Sequence, residues 1–183
     1  MEVIKTSIEG LLIIEPKIFK DSRGYFFESF HMKEFKEKVA DITFVQDNES
    51  CSTKGVMRGL HFQRSPFTQA KLVRCVRGIV LDVNVDLRKD SPTFGKYEAI
   101  ELTEDNHREL FIPKGFAHGF AVLSDIAVFQ YKCDNYYCPD SEDGVNLFDS
   151  DLNIQWHFPH NEAILSKKDL RLPSFKDFEG FIE

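Results

Sequence analysis

A histidine, a lysine and a tyrosine stand at positions from which one cavity could be lined. His61 lies in Arg58-Gly59-Leu60-His61-Phe62-Gln63, Lys71 interrupts an apolar run ten residues on, and Tyr131 follows Ala127 and Phe129 on one face of Ile126 to Tyr131. An imidazole titrating near neutrality accepts protons, an ammonium stabilises developing negative charge, and a phenol can return a proton. Singly, a strand histidine is more often a satisfied structural residue than a base, and its company is what raises the chemical reading. If the strands curl into a barrel, inward-facing positions converge on one cavity that suits a small ligand.

Parity tests this within the first segment. Strict alternation puts Met57, Gly59, His61 and Gln63 on one face, and Arg58, Leu60 and Phe62 on the other. Arg58 and His61 share a cavity only if the strand bends or bulges, and Gly59 is the position that permits it.

A second cluster, Ile112-Pro113-Lys114-Gly115-Phe116-Ala117-His118, resembles the second motif of the cupins, a jelly-roll superfamily whose members often bind a transition metal. The first cupin motif would supply His-x-His and a downstream carboxylate. Here that position reads His61-Phe62-Gln63, and no Asp or Glu occurs between Gln63 and Gly78. A site needing three or four N/O ligands is left with two imidazoles, so the expectation is a cupin fold without its metal. His31, His107, His157 and His160 read as solvated surface residues. Arg23, in the turn Asp21-Ser22-Arg23-Gly24, is either a solvated charge or a phosphate anchor.

The elements that must position these groups read as strands. From Ile79 to Leu87 alternate residues are apolar, which predicts a half-buried strand. Further short runs, many of them β-branched or aromatic, lie at 11–14, 25–30, 43–46, 70–76, 97–102, 109–112, 116–123 and 126–131, with turn residues between them. His31 to Ala40 reads as a helix through the spacing of Met32, Phe35 and Val39, and a second is expected near the C-terminus. Many short strands with few helices point to a sandwich, jelly roll or small barrel, not to a parallel α/β fold. The 18 phenylalanines read chiefly as β-core filling.

At 183 residues the chain is expected to form one domain over 1–183. A formal net charge of −7 lacks the footprint of nonspecific nucleic-acid binding. Apolar runs such as Leu11 to Ile14 fall far short of the ~18 residues a spanning helix needs, and Met1 to Thr6 opens no leader pattern, so a cytoplasmic chain with no membrane partner is expected. Cys51, Cys75, Cys133 and Cys138 form no C-x-x-C pair and are expected to be reduced thiols.

Gln46-Asp47-Asn48, Arg58 to Gln63, Val85 to Thr93, Pro113 to Phe120 and Ile164 to Asp169, in this order and spacing, resemble the dTDP-4-dehydrorhamnose 3,5-epimerase family from about Ile4 to about Leu172. The resemblance implies a mainly β, double-stranded β-helix jelly roll of cupin type, a homodimer, no metal or other cofactor, and epimerisation of dTDP-4-keto-6-deoxy-D-glucose. By the same resemblance His61 is the base, Asp169 its carboxylate partner, Lys71 the enolate stabiliser, and Tyr131 the proton donor on the opposite face. Arg23, Arg58 and Lys168 resemble residues around the diphosphate and sugar, while Gln46, Asp47 and Asn48 fall in a segment of polar contacts to the substrate. His118 matches a polar residue near the substrate, Tyr137 an aromatic stacked on the thymine, and Glu28 and Glu142 nucleotide-contacting carboxylates. Phe19 and Arg23 would come from the partner subunit.

One departure shows. Where the family commonly reads Trp-Asn-Asp-Pro, this chain has Leu147-Phe148-Asp149-Ser150. Three readings stay open: a double epimerase, a relative inverting only carbon 3 or carbon 5, and a silent sugar-nucleotide-binding jelly roll.

Overall fold

In the computed structural model, residues 1–178 are described. Thirteen strands form in chain order: β1 (Glu2–Lys5), β2 (Leu12–Glu15), β3 (Phe19–Asp21), β4 (Gly24–Phe26), β5 (Gln46–Thr53), β6 (Met57–Gln63), β7 (Lys71–Arg77), β8 (Ile79–Asp86), β9 (Tyr97–Thr103), β10 (Glu109–Ile112), β11 (Phe116–Val122), β12 (Ile126–Cys133) and β13 (Glu142–Gly144). A single α-helix among the described residues, α1 (Met32–Lys38), is capped by His31, whose Nδ1 accepts the Glu34 amide. The strands build a six-stranded sheet, β1-β2-β10-β7-β12-β5, a five-stranded sheet, β13-β6-β11-β8-β9, and a separate β3-β4 hairpin. From β5 onward successive strands change sheet, except at the β8–β9 hairpin, and every pairing is antiparallel. That winding is the double-stranded β-helix jelly roll.

Packing departs from simple alternation. Val80, Leu102, Leu110, Phe120 and Phe129 fill the space between the sheets, each large side chain contributing about 1.5–3 kcal/mol by burial. On the reverse face of β8, Leu81, Val83 and Val85 join a second core with Leu147, Leu152 and Trp156. The half-buried strand expected at 79–87 is therefore buried on both faces over most of its length. The segment after β13 covers the face that would have met solvent, while Asp82 and Asn84 point into the barrel and bond to each other. The altered Leu147-Phe148-Asp149-Ser150 loop is firmly tied: Leu147 O accepts Trp156 Nε1–H at 2.7 Å, and Asp149 accepts the amides of Asp151, Leu152 and Phe175.

Three further expectations need correction. Thr43 to Gln46 is not a strand; the strand starts at Gln46, where the polar run Gln-Asp-Asn-Glu-Ser-Cys-Ser-Thr offers no apolar period to read. The strand expected at 25–30 shrinks to β4 in the exposed hairpin, whose rings are not core: Phe19, Tyr25 and Phe26 are 52–65% exposed. Where a second helix is expected near the C-terminus, the described residues form only 3-10 turns, at His160–Glu162, Asp169–Arg171 and Phe175–Asp177.

Candidate active site

The site is built on a bulge. β6 pairs with β11 so that His61 stands opposite His118 and Arg58 opposite Phe120. Three steps on β6 thus match two on β11, and the extra residue falls at Gly59–Leu60. Gly59 has φ +120, and a Cβ there would overlap the Gly119 backbone. Only glycine meets both demands. The bulge brings Arg58 and His61 to one cavity despite their opposite parity.

That cavity has a volume of about 740 Å³ between the two sheets. His61 and Tyr131 line it together, with Lys71, Asp169, Arg58, His118, Gln46, Asn48, Tyr137, Glu142 and Lys168. His61 Nε2 lies 2.6 Å from Asp169 Oδ1. Asp169 opens a 3-10 turn, and its own amide donates to Ser166 Oγ at 3.1 Å. Burial acts to raise the Asp169 carboxyl, but the hydrogen bond and charge of His61, with help from Ser166, outweigh it and leave it below the usual range. An ionised carboxylate only accepts, so Nε2 carries the proton and the Nδ1 lone pair of a neutral ring is left available as a base.

Glu142 stands on the other side of the imidazole, its Oε1 3.9 Å from His61 Nδ1. The same oxygen takes Lys168 Nζ at 2.5 Å, and Oε2 accepts the Tyr137 hydroxyl at 2.6 Å. That hydrogen bond to a carboxylate is the main cause that pushes the Tyr137 phenol up to about 12. Lys71 begins β7; it opens to the cavity, yet protein surrounds its ammonium, and the lost solvation lowers its pKa. Among the described residues no hydrogen bond or ion pair holds it. A cation so placed gains from an anion forming nearby. Burial likewise raises the Tyr131 phenol, keeping it protonated and able to donate. His118 lies at the floor, its Nε2 2.8 Å from the fully buried Asp82.

Four expected contacts are placed elsewhere. Asp47 sits in β5 one step out of phase with Gln46 and Asn48, so its carboxylate leaves the cavity and pairs with Lys132 at 2.9 Å. Phe19 and Arg23 project on the exposed hairpin, Arg23 bound to Asp21 at 2.6 Å. Glu28 follows the hairpin and shares with Phe19 a separate pocket of about 210 Å³ that also takes in Phe35 of α1 and Glu109 of β10. In the other direction, Ser50, Gln63, Gln69 and Cys133 line the cavity and were not singled out as site residues. Gln63 shares the parity of His61, the one sequence signal that could have found it, and its Oε1 fixes the Cys138 amide at the rim. Among the described residues no group of three or more His, Cys, Asp or Glu is placed to hold a metal ion.

A jelly roll whose cavity is lined by an Asp169-bound imidazole, a phenol and a lysine ammonium with no partner among the described residues is the class of site that can move protons on a polar small molecule. The profile of the dTDP-4-dehydrorhamnose 3,5-epimerase family matches residues 5–177. The chain belongs to that family. It is 54% identical over all 183 residues, and the full length of both chains, to the dTDP-4-dehydrorhamnose 3,5-epimerase of Shigella flexneri. The crystal structure of the enzyme of that name from Elizabethkingia anophelis NUHP1 superposes with a TM-score of 0.92 at 51% identity, covering 97% of each chain. The dTDP-6-deoxy-D-glucose-3,5-epimerase of Legionella pneumophila Philadelphia 1, solved with dTDP-4-keto-L-rhamnose, gives 0.93 at 47% identity over 97% of this chain and 94% of the other.

Proposed function

We propose that this protein is an isomerase converting dTDP-4-dehydro-6-deoxy-D-glucose to dTDP-4-dehydro-L-rhamnose by inverting carbons 3 and 5. Both carbons flank the ketone at carbon 4, so each hydrogen is a weak carbon acid whose removal leaves an enolate. His61 takes the proton through Nδ1, and Asp169 holds the ring and stabilises the imidazolium. The Lys71 ammonium faces the developing enolate oxygen. Tyr131 delivers a proton to the opposite face; one two-way base would return the starting isomer. The observation that carries this reading is the lining of one cavity by both the Asp169-bound His61 and Tyr131.

Arg58 and Lys168 suit the diphosphate, Gln46, Asn48 and Glu142 the polar edges of sugar or nucleotide, Tyr137 the thymine ring, and His118 the sugar. The exposed hairpin favours a homodimer in which Phe19 and Arg23 of one subunit complete the site of the other, with Glu28 beside them; an aromatic face left in water is the kind of surface that association covers. We read the reaction as metal-free and the setting as cytoplasmic. No helix among the described residues is long and apolar enough to cross a membrane.

Incubation with dTDP-4-dehydro-6-deoxy-D-glucose, with the product identified by NMR coupling constants around the ring, tests the reading. Inversion at both carbons is expected. Inversion at one carbon selects a single-site relative, and binding without conversion selects a silent sugar-nucleotide binder.

A further inference from the structure

Two cavities meet at His61. Besides the large one, a groove of about 480 Å³ runs along the C-terminal segment, lined by His61, Glu142, Asp143, Lys167, Lys168 and Arg171. His61, Glu142 and Lys168 line both spaces and so form the wall between them. The groove has room for on the order of ten waters. His61 Nδ1 is 3.9 Å from Glu142 Oε1, beyond hydrogen-bond reach but closed by a small swing of either side chain.

The chemistry demands a reset at this point, on the reading proposed above, from which the inference follows. Inverting one carbon moves a proton from carbon to His61 and another from Tyr131 to the opposite face. His61 is then imidazolium and Tyr131 phenolate. The second carbon needs both neutral again while the sugar still occupies the large cavity. One proton has to leave His61 and one has to reach Tyr131, so solvent gains one and gives one. With substrate in the large cavity, the groove is the side of His61 that stays wet.

We propose that Glu142 is the relay that discharges His61 between the two inversions. Imidazolium Nδ1–H passes its proton to the Glu142 carboxylate, and the carboxylic acid passes it to water in the groove, so His61 ends neutral and Glu142 ionised. The swing exchanges Lys168 for His61 on Oε1, while the Tyr137 hydroxyl keeps Oε2 in place. Burial acts to raise the Glu142 carboxyl, but the hydrogen bonds from Lys168 and Tyr137 outweigh it and hold it below the usual range. Off Lys168 the carboxyl is the better proton acceptor, and when Oε1 swings back to Lys168 it gives the proton up to the groove instead of storing it.

Glu142→Gln keeps the size of the side chain but cannot carry a proton. The measurement is a rapid-quench single turnover of dTDP-4-dehydro-6-deoxy-D-glucose in deuterated water, following label at carbons 3 and 5 by NMR, with and without added imidazole as a diffusible carrier. The expected result is a delay of the second carbon about tenfold or more beyond any slowing of the first that lost substrate contacts cause, a singly inverted product accumulating, and recovery of the second carbon with imidazole. Equal slowing of both carbons with no response to imidazole, or no slowing of either, overturns the proposal. Arg171→Trp fills the groove from an exposed position without touching the large cavity. It is expected to delay the second carbon too, and unimpaired double inversion in that variant overturns the groove as the route. If wild type labels neither carbon, the epimerase reading itself fails, a result distinct from all of these.

Discussion

Replacing Asp169 by Asn isolates the orientation of the base. The carboxylate accepts from His61 Nε2 at 2.6 Å in a turn held by Ser166, and it is 4% exposed, so the side-chain swap is isosteric in a site with little freedom to rearrange. A hydrogen bond to a charged group contributes about 1.5–3 kcal/mol. In the transition state it stabilises an imidazolium, and each ~1.4 kcal/mol is a factor of ten, so this loss alone lowers kcat/KM by roughly 10- to 150-fold. The Asn amide can also turn its NH2 toward Nε2, which moves the ring proton to Nδ1 and removes the base; a wrong tautomer of this kind costs up to about 10⁴ in a serine-protease triad. Asp169→Asn is therefore expected to reduce kcat/KM by about 10- to 10⁴-fold with KM within about threefold, because the carboxylate serves the imidazolium and not the ground-state substrate. Steady-state kinetics on the deoxysugar nucleotide gives the first figure, and nitrogen-15 NMR of His61 gives the tautomer. Activity within about threefold of wild type, or a loss confined to KM, would show that Asp169 does not orient the base.

Tyr131→Phe should spare solvent exchange at the first carbon more than completed inversion, because it removes the donor and leaves the base; equal loss in an NMR exchange assay contradicts the donor role. Incubation with a strong chelator should leave turnover unchanged, and a chelator-sensitive rate restored by one added metal would overturn the metal-free reading. Asp86 is fully buried; burial acts to raise its carboxyl, but bonds from Arg88, Ser91 and Thr93 outweigh this and bring it down to about 2. A depressed carboxyl stabilises the fold above its unfolded value near 4, and the contribution is lost as pH falls through about 2. Asp86→Asn should thus be less stable by about 2–3 kcal/mol at pH 7 in urea unfolding, with the gap to wild type closing toward pH 2. A gap independent of pH would show that the charge is not what the bonds hold.

The parts of the fold that could be read from the residues are those where one face is apolar. β9, β10, β11 and the body of β12 match their hydrophobic periods to within two residues. β5 was legible only at its first residue because both its faces are polar, one toward the cavity and one outward. For β8 the apolar positions were right but their destination was not, since burial of the reverse face depends on a segment some sixty residues later. The bulge at Gly59 was legible because a glycine interrupts a strand whose two chemical residues have opposite parity. Asp47 was counted with its neighbours on the resemblance, although its parity, opposite to that of Gln46 and Asn48, turns it away from the cavity. Glu142 as a link between His61 and Lys168 follows from the fold alone, because β13 pairs with β6 across a sequence gap that no local pattern spans.

Double inversion on the proposed reading requires His61 to deprotonate both carbons and Tyr131 to reprotonate them from across the ring. Solvent deuterium incorporation by the His61→Asn variant, followed at carbons 3 and 5 over many wild-type turnovers, tests it most directly. No label at either carbon is expected, with dTDP-sugar binding retained; label appearing at one or both carbons at near the wild-type rate would assign the base to another residue.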